Sequence, residues 1–134
     1  MTSEKLITFH LNGETLIFKK VNSEYGGESV AFGLFKQDGT CLGKSLCRTN
    51  RFKERVWYLS DIEILQQFKR RGYGSELLEK TCEALWQIEK MDILLERPGN
   101  SIASDGFDRK AWYEKHGFIP HPNPDITFMW RELP

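Results

Sequence analysis

A basic, glycine-bearing turn at residues 66–74 joins a strand-like run to a helix-like run, and this junction constrains the fold more than any other stretch. Residues 56–65 are rich in β-branched and aromatic side chains and long enough to form a strand. From Ser75 the apolar positions Leu77, Leu78, Thr81, Cys82, Leu85 and Ile88 recur at three- and four-residue steps, which predicts a helix to about Lys90. Residues 91–96 then form a short apolar strand. The unit is a strand-helix-strand crossover, so its two strands are expected to be parallel.

The junction also has a chemical use. The first turn of a helix carries unpaired backbone N–H groups and the positive end of the helix dipole, and both attract anions. Gly72 and Gly74 lack the Cβ that would hold a phosphate away from the main chain, and Lys69, Arg70 and Arg71 add cationic side chains. A solvated basic turn capped by glycine accounts for the same residues, so context has to decide. Two phosphate loops are excluded. The pattern G-x-x-x-x-G-K-[ST] is absent, and Gly72-Tyr73-Gly74-Ser75-Glu76-Leu77 lacks the third glycine of the dinucleotide fingerprint.

Around this unit the chain reads mostly as strand. Residues 6–11 and 15–21 flank Asn12-Gly13, a strong hairpin signal, and residues 29–35 and 40–46 meet across Asp38-Gly39 as a second hairpin. Residues 48–55 are polar and read as a loop. After Pro98-Gly99-Asn100 a helix is expected over about 108–116, stopped by Gly117. Phe118-Ile119 starts a strand, Pro120, Pro122 and Pro124 make a stiff loop, and residues 126–133 close the sheet. The expected class is α+β, a central mixed sheet, in a single domain over residues 1–134: with 134 residues, 40% of them hydrophobic, there is one core and no room for a second.

Nineteen basic residues balance nineteen acidic ones, which gives no support to broad binding of nucleic acid or anionic membrane. The three cysteines, Cys41, Cys47 and Cys82, are odd in number and lack C-x-x-C spacing, so neither a disulfide framework nor a metal site is expected. Without a signal-peptide core or a long apolar run, a soluble cytoplasmic protein is expected.

The turn resembles the acyl-CoA loop of the GNAT superfamily of N-acetyltransferases, whose pattern is [QR]-x-x-G-x-[GA] between a central strand and a helix. Here Lys69-Arg70-Arg71-Gly72-Tyr73-Gly74 places Lys where Gln or Arg is usual. Trp112-Tyr113-Glu114-Lys115-His116-Gly117-Phe118 is similar to the family's [FW]-Y-E-K-x-G-F segment, and the ending at residues 128–133 is similar to the last strand of many members. The three matches fall in the family's order over about residues 56–133. Members usually carry two helices between their first two strands. Residues 6–46 read as strand throughout, so those helices are reduced or absent and the acceptor side is expected to be more open, or completed by a second copy in a homodimer.

The resemblance implies acetyl-CoA as donor and a small-molecule or peptide amine as acceptor. It implies a cofactor clamp at Lys69, Arg70, Arg71, Gly72, Tyr73, Gly74 and Ser75, with the main chain of Ile62 and Ile64 beside the pantetheine arm. An Asn after the next strand commonly helps hold the cofactor. Counting from the strand gives Asn100, whereas counting back from Tyr113 gives Gly106, so residues 101–106 read as an insertion. Tyr113 is the candidate proton donor to the departing thiolate, because a phenol of ordinary pKa about 10 matches a thiol; a core aromatic beside Trp112 is the alternative. For the base, simple strand alternation puts Tyr58, Ser60, Ile62 and Ile64 on one face and Asp61 and Glu63 on the other, and a bulge here would shift that parity. Glu63 is the candidate base, acting through water, with Asp61, Glu96 and Asp105 as alternatives; His116 reads as a C-terminal helix residue. Two other functions fit: a non-catalytic CoA-binding regulatory module, and an acetyltransferase toxin acting on aminoacyl-tRNA.

Overall fold

The computed structural model describes residues 6–22, 29–49, 56–69, 71–95, 109–120 and 129–131. Its strands are β1 (Leu6–Leu11), β2 (Glu14–Val21), β3 (Ser29–Lys36), β4 (Cys41–Thr49), β5 (Trp57–Ile64), β6 (Ile93–Leu95), β7 (Ile119–Pro120) and β8 (Met129–Arg131), and its helices are α1 (Tyr73–Ile88) and α2 (Arg109–Lys115). They build one eight-stranded mixed sheet in the order β1-β2-β3-β4-β5-β6-β8-β7. Both expected hairpins form. At the first, Asn12 (φ 51°) and Gly13 (φ 82°) are left-handed, the turn geometry that suits the twist of paired strands. The crossover also forms, with β5 parallel to β6 from Trp57↔Ile93 to Leu59↔Leu95.

Several boundaries differ from the sequence reading. Strand β4 runs to Thr49, so Arg48 and Thr49 leave the expected loop and pair with Tyr58 and Trp57. Helix α1 starts at Tyr73 rather than Ser75, because Gly72 turns the chain at the N-cap in a left-handed conformation (φ 84°). Pro120 belongs to β7 opposite Met129 instead of to a loop; β7 is the sheet's last strand, where a proline has an open side on which it needs no N–H. Strand β8 is described over Met129–Arg131; residues 121–128, which hold the rest of the expected proline loop and the start of the strand expected over 126–133, lie outside the described residues.

The core lies between the sheet and α1. Leu77, Leu78, Cys82 and Leu85 of α1 are fully buried with Phe18, Phe32, Leu34, Leu59 and Ile93 of the strands. At that interface the buried Ser45 Oγ and Thr81 Oγ1 lie 2.8 Å apart, one hydroxyl donating to the other. Trp57 and Trp86 anchor the end of the helix by donating their indole N–H groups to the carbonyls of Glu89 and Met91, each at 2.9 Å. All three cysteines are free; burial pushes the Cys82 thiol up to about 12 and that of Cys47 well above its ordinary value. Val21 ends β2 and Ser29 begins β3, its antiparallel neighbour, and within residues 6–22 and 29–49 the structure has strands and no helix, as the sequence reading expected for this half of the chain. Among the described residues no helix is long and apolar enough to cross a membrane.

Opposite the Leu46–Cys47 step of β4, Cys47 pairs with Leu59 and Leu46 with Asp61, which leaves Ser60 as a bulge. The bulge overturns simple alternation. Trp57 and Leu59 before it, and Ile62 and Ile64 after it, all belong to the core cluster on the α1 side. Tyr58, Asp61 and Glu63 therefore share the other face, and Tyr58 does not sit with Ile62 and Ile64.

Candidate cofactor-binding and active site

The bulged strand ends against the start of α1. Leu65 donates its N–H to Leu42 of β4 at 2.9 Å. Amides alternate in direction along a strand, so Glu63 also turns to β4, and Ile62 and Ile64 turn their N–H groups to the opposite edge. Among the described residues, β6 covers that edge only as far as Leu59. The side chain of Ile64 lies under the loop, close enough that a Cβ on Gly74 would sit 3.6 Å from its Cγ1.

Beyond a short 3-10 turn at Gln66–Phe68, the basic loop leads into α1. The first helical bond runs from the Glu76 N–H to the Gly72 carbonyl at 3.3 Å, and no side chain caps the end. The amides of Tyr73, Gly74 and Ser75 consequently have no acceptor within the helix. Lys69 and Arg71 are exposed beside them, while Arg70 lies outside the described residues. The two glycines differ in role. A Cβ on Gly72 would meet only Leu11 Cδ2, at 3.8 Å, whereas one on Gly74 would point inward against Trp112 Cζ2 at 3.5 Å and Ile64. Gly72 is thus required for its backbone angle, and Gly74 sets the packing beneath the loop.

The N-terminal hairpin braces this loop. Tyr73 buries its ring and donates its hydroxyl to Glu14 Oε1 at 2.9 Å, and Asn12 Nδ2 reaches the Arg71 carbonyl at 3.5 Å. Burial and the neighbouring Glu14 carboxylate push the Tyr73 hydroxyl above its ordinary pKa. What Tyr73 offers a ligand is accordingly its main-chain N–H.

Helix α2 docks beside the same turn. Trp112 donates its indole N–H to Ser75 Oγ at 3.4 Å, and His116 bridges Ser75 Oγ (3.0 Å from Nε2) to Glu79 Oε2 (2.8 Å from Nδ1). Arg131 of β8 donates to both Glu79 oxygens, at 2.9 and 3.2 Å. Burial raises the Glu79 carboxyl, but the bonds from Arg131 and His116 outweigh it and hold the group below the usual carboxylate range. Sequence reasoning missed this line of side chains. Its only sequence signal is the four-residue step from Ser75 to Glu79, which puts them on one helix face.

Tyr113 is half-buried against the core, its ring edge-on to Phe118 at 5.5 Å. Glu63 is exposed opposite Lys44 on the sheet face away from α1, so its side chain is not brought to the loop or to Tyr113. Asp61 shares that outer face opposite Leu46. Asn100, Glu96 and Asp105 lie outside the described residues. Among the described residues no group of His, Cys, Asp and Glu is placed to hold a metal.

In structure the chain is similar to a GNAT-family acetyltransferase from Staphylococcus aureus Mu50 (TM-score 0.59, 14% identity, 80% of this chain and 69% of that one). It is also similar to Tetrahymena GCN5 (TM-score 0.62, 15% identity, 82% and 71%). A third likeness is to the PaiA N-acetyltransferase of Thermoplasma acidophilum, solved in complex with coenzyme A (TM-score 0.57, 14% identity, 78% and 61%). At these identities the likeness is one of fold, and no curated protein matches the sequence. The model of the GNAT acetyltransferase family, however, matches residues 7–118, which takes in the hairpins, the loop, α1 and α2. The chain belongs to the GNAT family of acetyltransferases.

Proposed function

We propose that this protein is an acyl-CoA-dependent N-acetyltransferase, moving an acetyl group from acetyl-CoA to a primary amine by direct attack. The observation that carries this is the uncapped first turn of α1 beside an edge of β5 that turns out the amides of Ile62 and Ile64. The amides of residues 73–75, with Lys69, Arg70 and Arg71, receive the diphosphate of the cofactor. The pantetheine arm follows Ile62 to Ile64, with Asn100 as a further contact by resemblance, and the Ile64 N–H faces the thioester oxygen. The amine nitrogen attacks the carbonyl carbon, the tetrahedral adduct collapses with cleavage of the C–S bond, and Tyr113 protonates the thiolate. The amine's proton is lost to water, since Glu63, the base expected from the sequence, stands on the sheet face away from α1 and is not brought to Tyr113. A second copy of the chain completes the acceptor wall, to which the described residues from 6 to 49 contribute strands alone, and the protein works in the cytoplasm.

The test pairs a thermal shift with a thiol-release assay. At a micromolar Kd, millimolar acetyl-CoA adds about 4 kcal/mol to native stability, a rise in Tm that is easily read. Free thiol should then appear when polyamines, amino acids, aminoglycosides or peptide N-termini are added. No shift with either acetyl-CoA or CoA would remove the cofactor site. A shift without thiol release would instead favour a non-catalytic CoA-binding module, with which the position of Glu63 on the far face agrees.

A further inference from the structure

Around the first turn of α1, three elements contribute one continuous hydrogen-bonded line: Ser75, His116, Glu79 and Arg131. Its protons can be assigned one by one. Glu79 is a carboxylate and can only accept, so His116 Nδ1 must carry a proton and donate it. In a neutral imidazole Nε2 is then an acceptor, and the hydrogen it takes is the single proton of the Ser75 hydroxyl, 3.0 Å away. In that state Ser75, the third residue of α1, shows lone pairs but no O–H to an anion at the helix end.

A second proton on His116 reverses the bond. Nε2–H now donates to Ser75 Oγ, and the Trp112 indole, 3.4 Å away, donates to the other lone pair. A hydroxyl has two lone pairs and one proton, so with both lone pairs filled its O–H is released to point elsewhere. The imidazolium adds a positive charge at the same moment. Glu79 and Arg131 offset each other, so the cluster passes from neutral to singly positive. Among the described residues Glu114 and Lys115 adjoin His116 along α2 and are exposed, and on the α1 side Cys82, its thiol pushed up to about 12 by burial, stays neutral.

We propose that Glu79, His116 and Ser75 form a proton-coupled arm of the cofactor site, in which binding of the CoA diphosphate draws a proton onto His116 and turns the Ser75 hydroxyl from the imidazole to a phosphate oxygen. This rests on the diphosphate lying on the first turn of α1, as proposed above. His116 is then a positioning residue, acting on the phosphate through Ser75.

The probe is dephospho-CoA, whose diphosphate diester carries no phosphate proton that titrates near neutrality. Calorimetry in buffers of different ionisation enthalpy, between about pH 6 and 8 where an imidazole most readily changes charge, measures protons taken up on binding. The wild type should take up a positive fraction of one proton, and its affinity should fall as pH rises, by at most about tenfold per pH unit. Ser75→Ala leaves His116, Glu79 and Arg131 in place and should bind more weakly with proton uptake near zero. His116→Asn should do the same and flatten the pH profile. Binding by the wild type without proton uptake would overturn the arm while leaving the diphosphate site standing. Uptake undiminished in Ser75→Ala would overturn the coupling through the hydroxyl. Absence of binding by both dephospho-CoA and CoA would overturn the cofactor site and the arm together.

Discussion

Gly43 lies where β4 presses on the Glu63–Ile64 end of β5, and Gly43→Ala tests that apposition. A Cβ there would stand 2.4 Å from the Glu63 carbonyl oxygen, 2.6 Å from Ile64 Cδ1 and 3.1 Å from Ile64 Cα. The nearest atom is backbone and cannot rotate away, so β5 must move by about 1 Å to restore an ordinary contact. Overpacking of this kind costs about 1–3 kcal/mol, from which about 0.4–1 kcal/mol is recovered because alanine restricts the unfolded chain. The net loss, about 1–2 kcal/mol, lowers Tm by about 3–10 °C for a domain of this size. In the proposed binding mode the Ile64 amide also donates to the ligand, so displacing Ile64 should weaken that bond as well. At about 1 kcal/mol, that is roughly fivefold in acetyl-CoA affinity. Differential scanning calorimetry with and without acetyl-CoA reads both numbers. A Gly43→Ala protein with wild-type Tm and wild-type affinity would show that β4 and β5 are not held this closely, and the edge of β5 would lose its place in the site.

Tyr113→Phe keeps the ring against Phe118 and removes the hydroxyl; kcat should fall by about a hundred- to ten-thousand-fold with KM for acetyl-CoA little changed, and an unchanged kcat in steady-state assays would reassign the proton. Glu79 has its folded pKa below its unfolded one, so its contribution to stability is complete above the ordinary carboxylate range and is lost as pH falls through the folded value. The Tm gap between the wild type and Glu79→Gln should therefore be widest near neutral pH and close in acid. Cys41 is half-exposed while Cys47 and Cys82 are buried with raised thiol pKa values, so brief maleimide treatment at neutral pH followed by mass spectrometry should find one modified cysteine, Cys41.

The elements legible in the sequence are those whose cause is local. Asn12-Gly13 and Asp38-Gly39 each specify a hairpin by turn chemistry alone, and the stripe from Leu77 to Leu85 specifies a buried helix face by its period. The bulge at Ser60 has no such signature. It arises from how β4 and β5 register against each other, and it decides which face every later β5 side chain takes. The same limit applies at the site. The loop could be read because its glycines and cations are contiguous, but His116 meets Ser75 across 41 residues and Arg131 meets Glu79 across 52. A residue read as suiting a helix end proves to be the link between two helices, since only the docking of α2 on α1 supplies its partners.

The brace between the first hairpin and the loop makes two distant parts of the chain a single opening unit. Tyr73 reaches Glu14 across 59 residues, Asn12 reaches Arg71 across the same span, and the Lys80 ammonium sits 3.8 Å from the ring centre of Phe9. An edge hairpin is the kind of element that opens by itself well below the free energy of global unfolding. When it lifts, the loop loses its anchor at Tyr73, so the lifetime of the proposed CoA seat depends on a hairpin distant from it in the chain. In hydrogen exchange a ligand on the loop would slow the amides of residues 9–16, and the N-terminal hairpin would register occupancy of a site that it only supports.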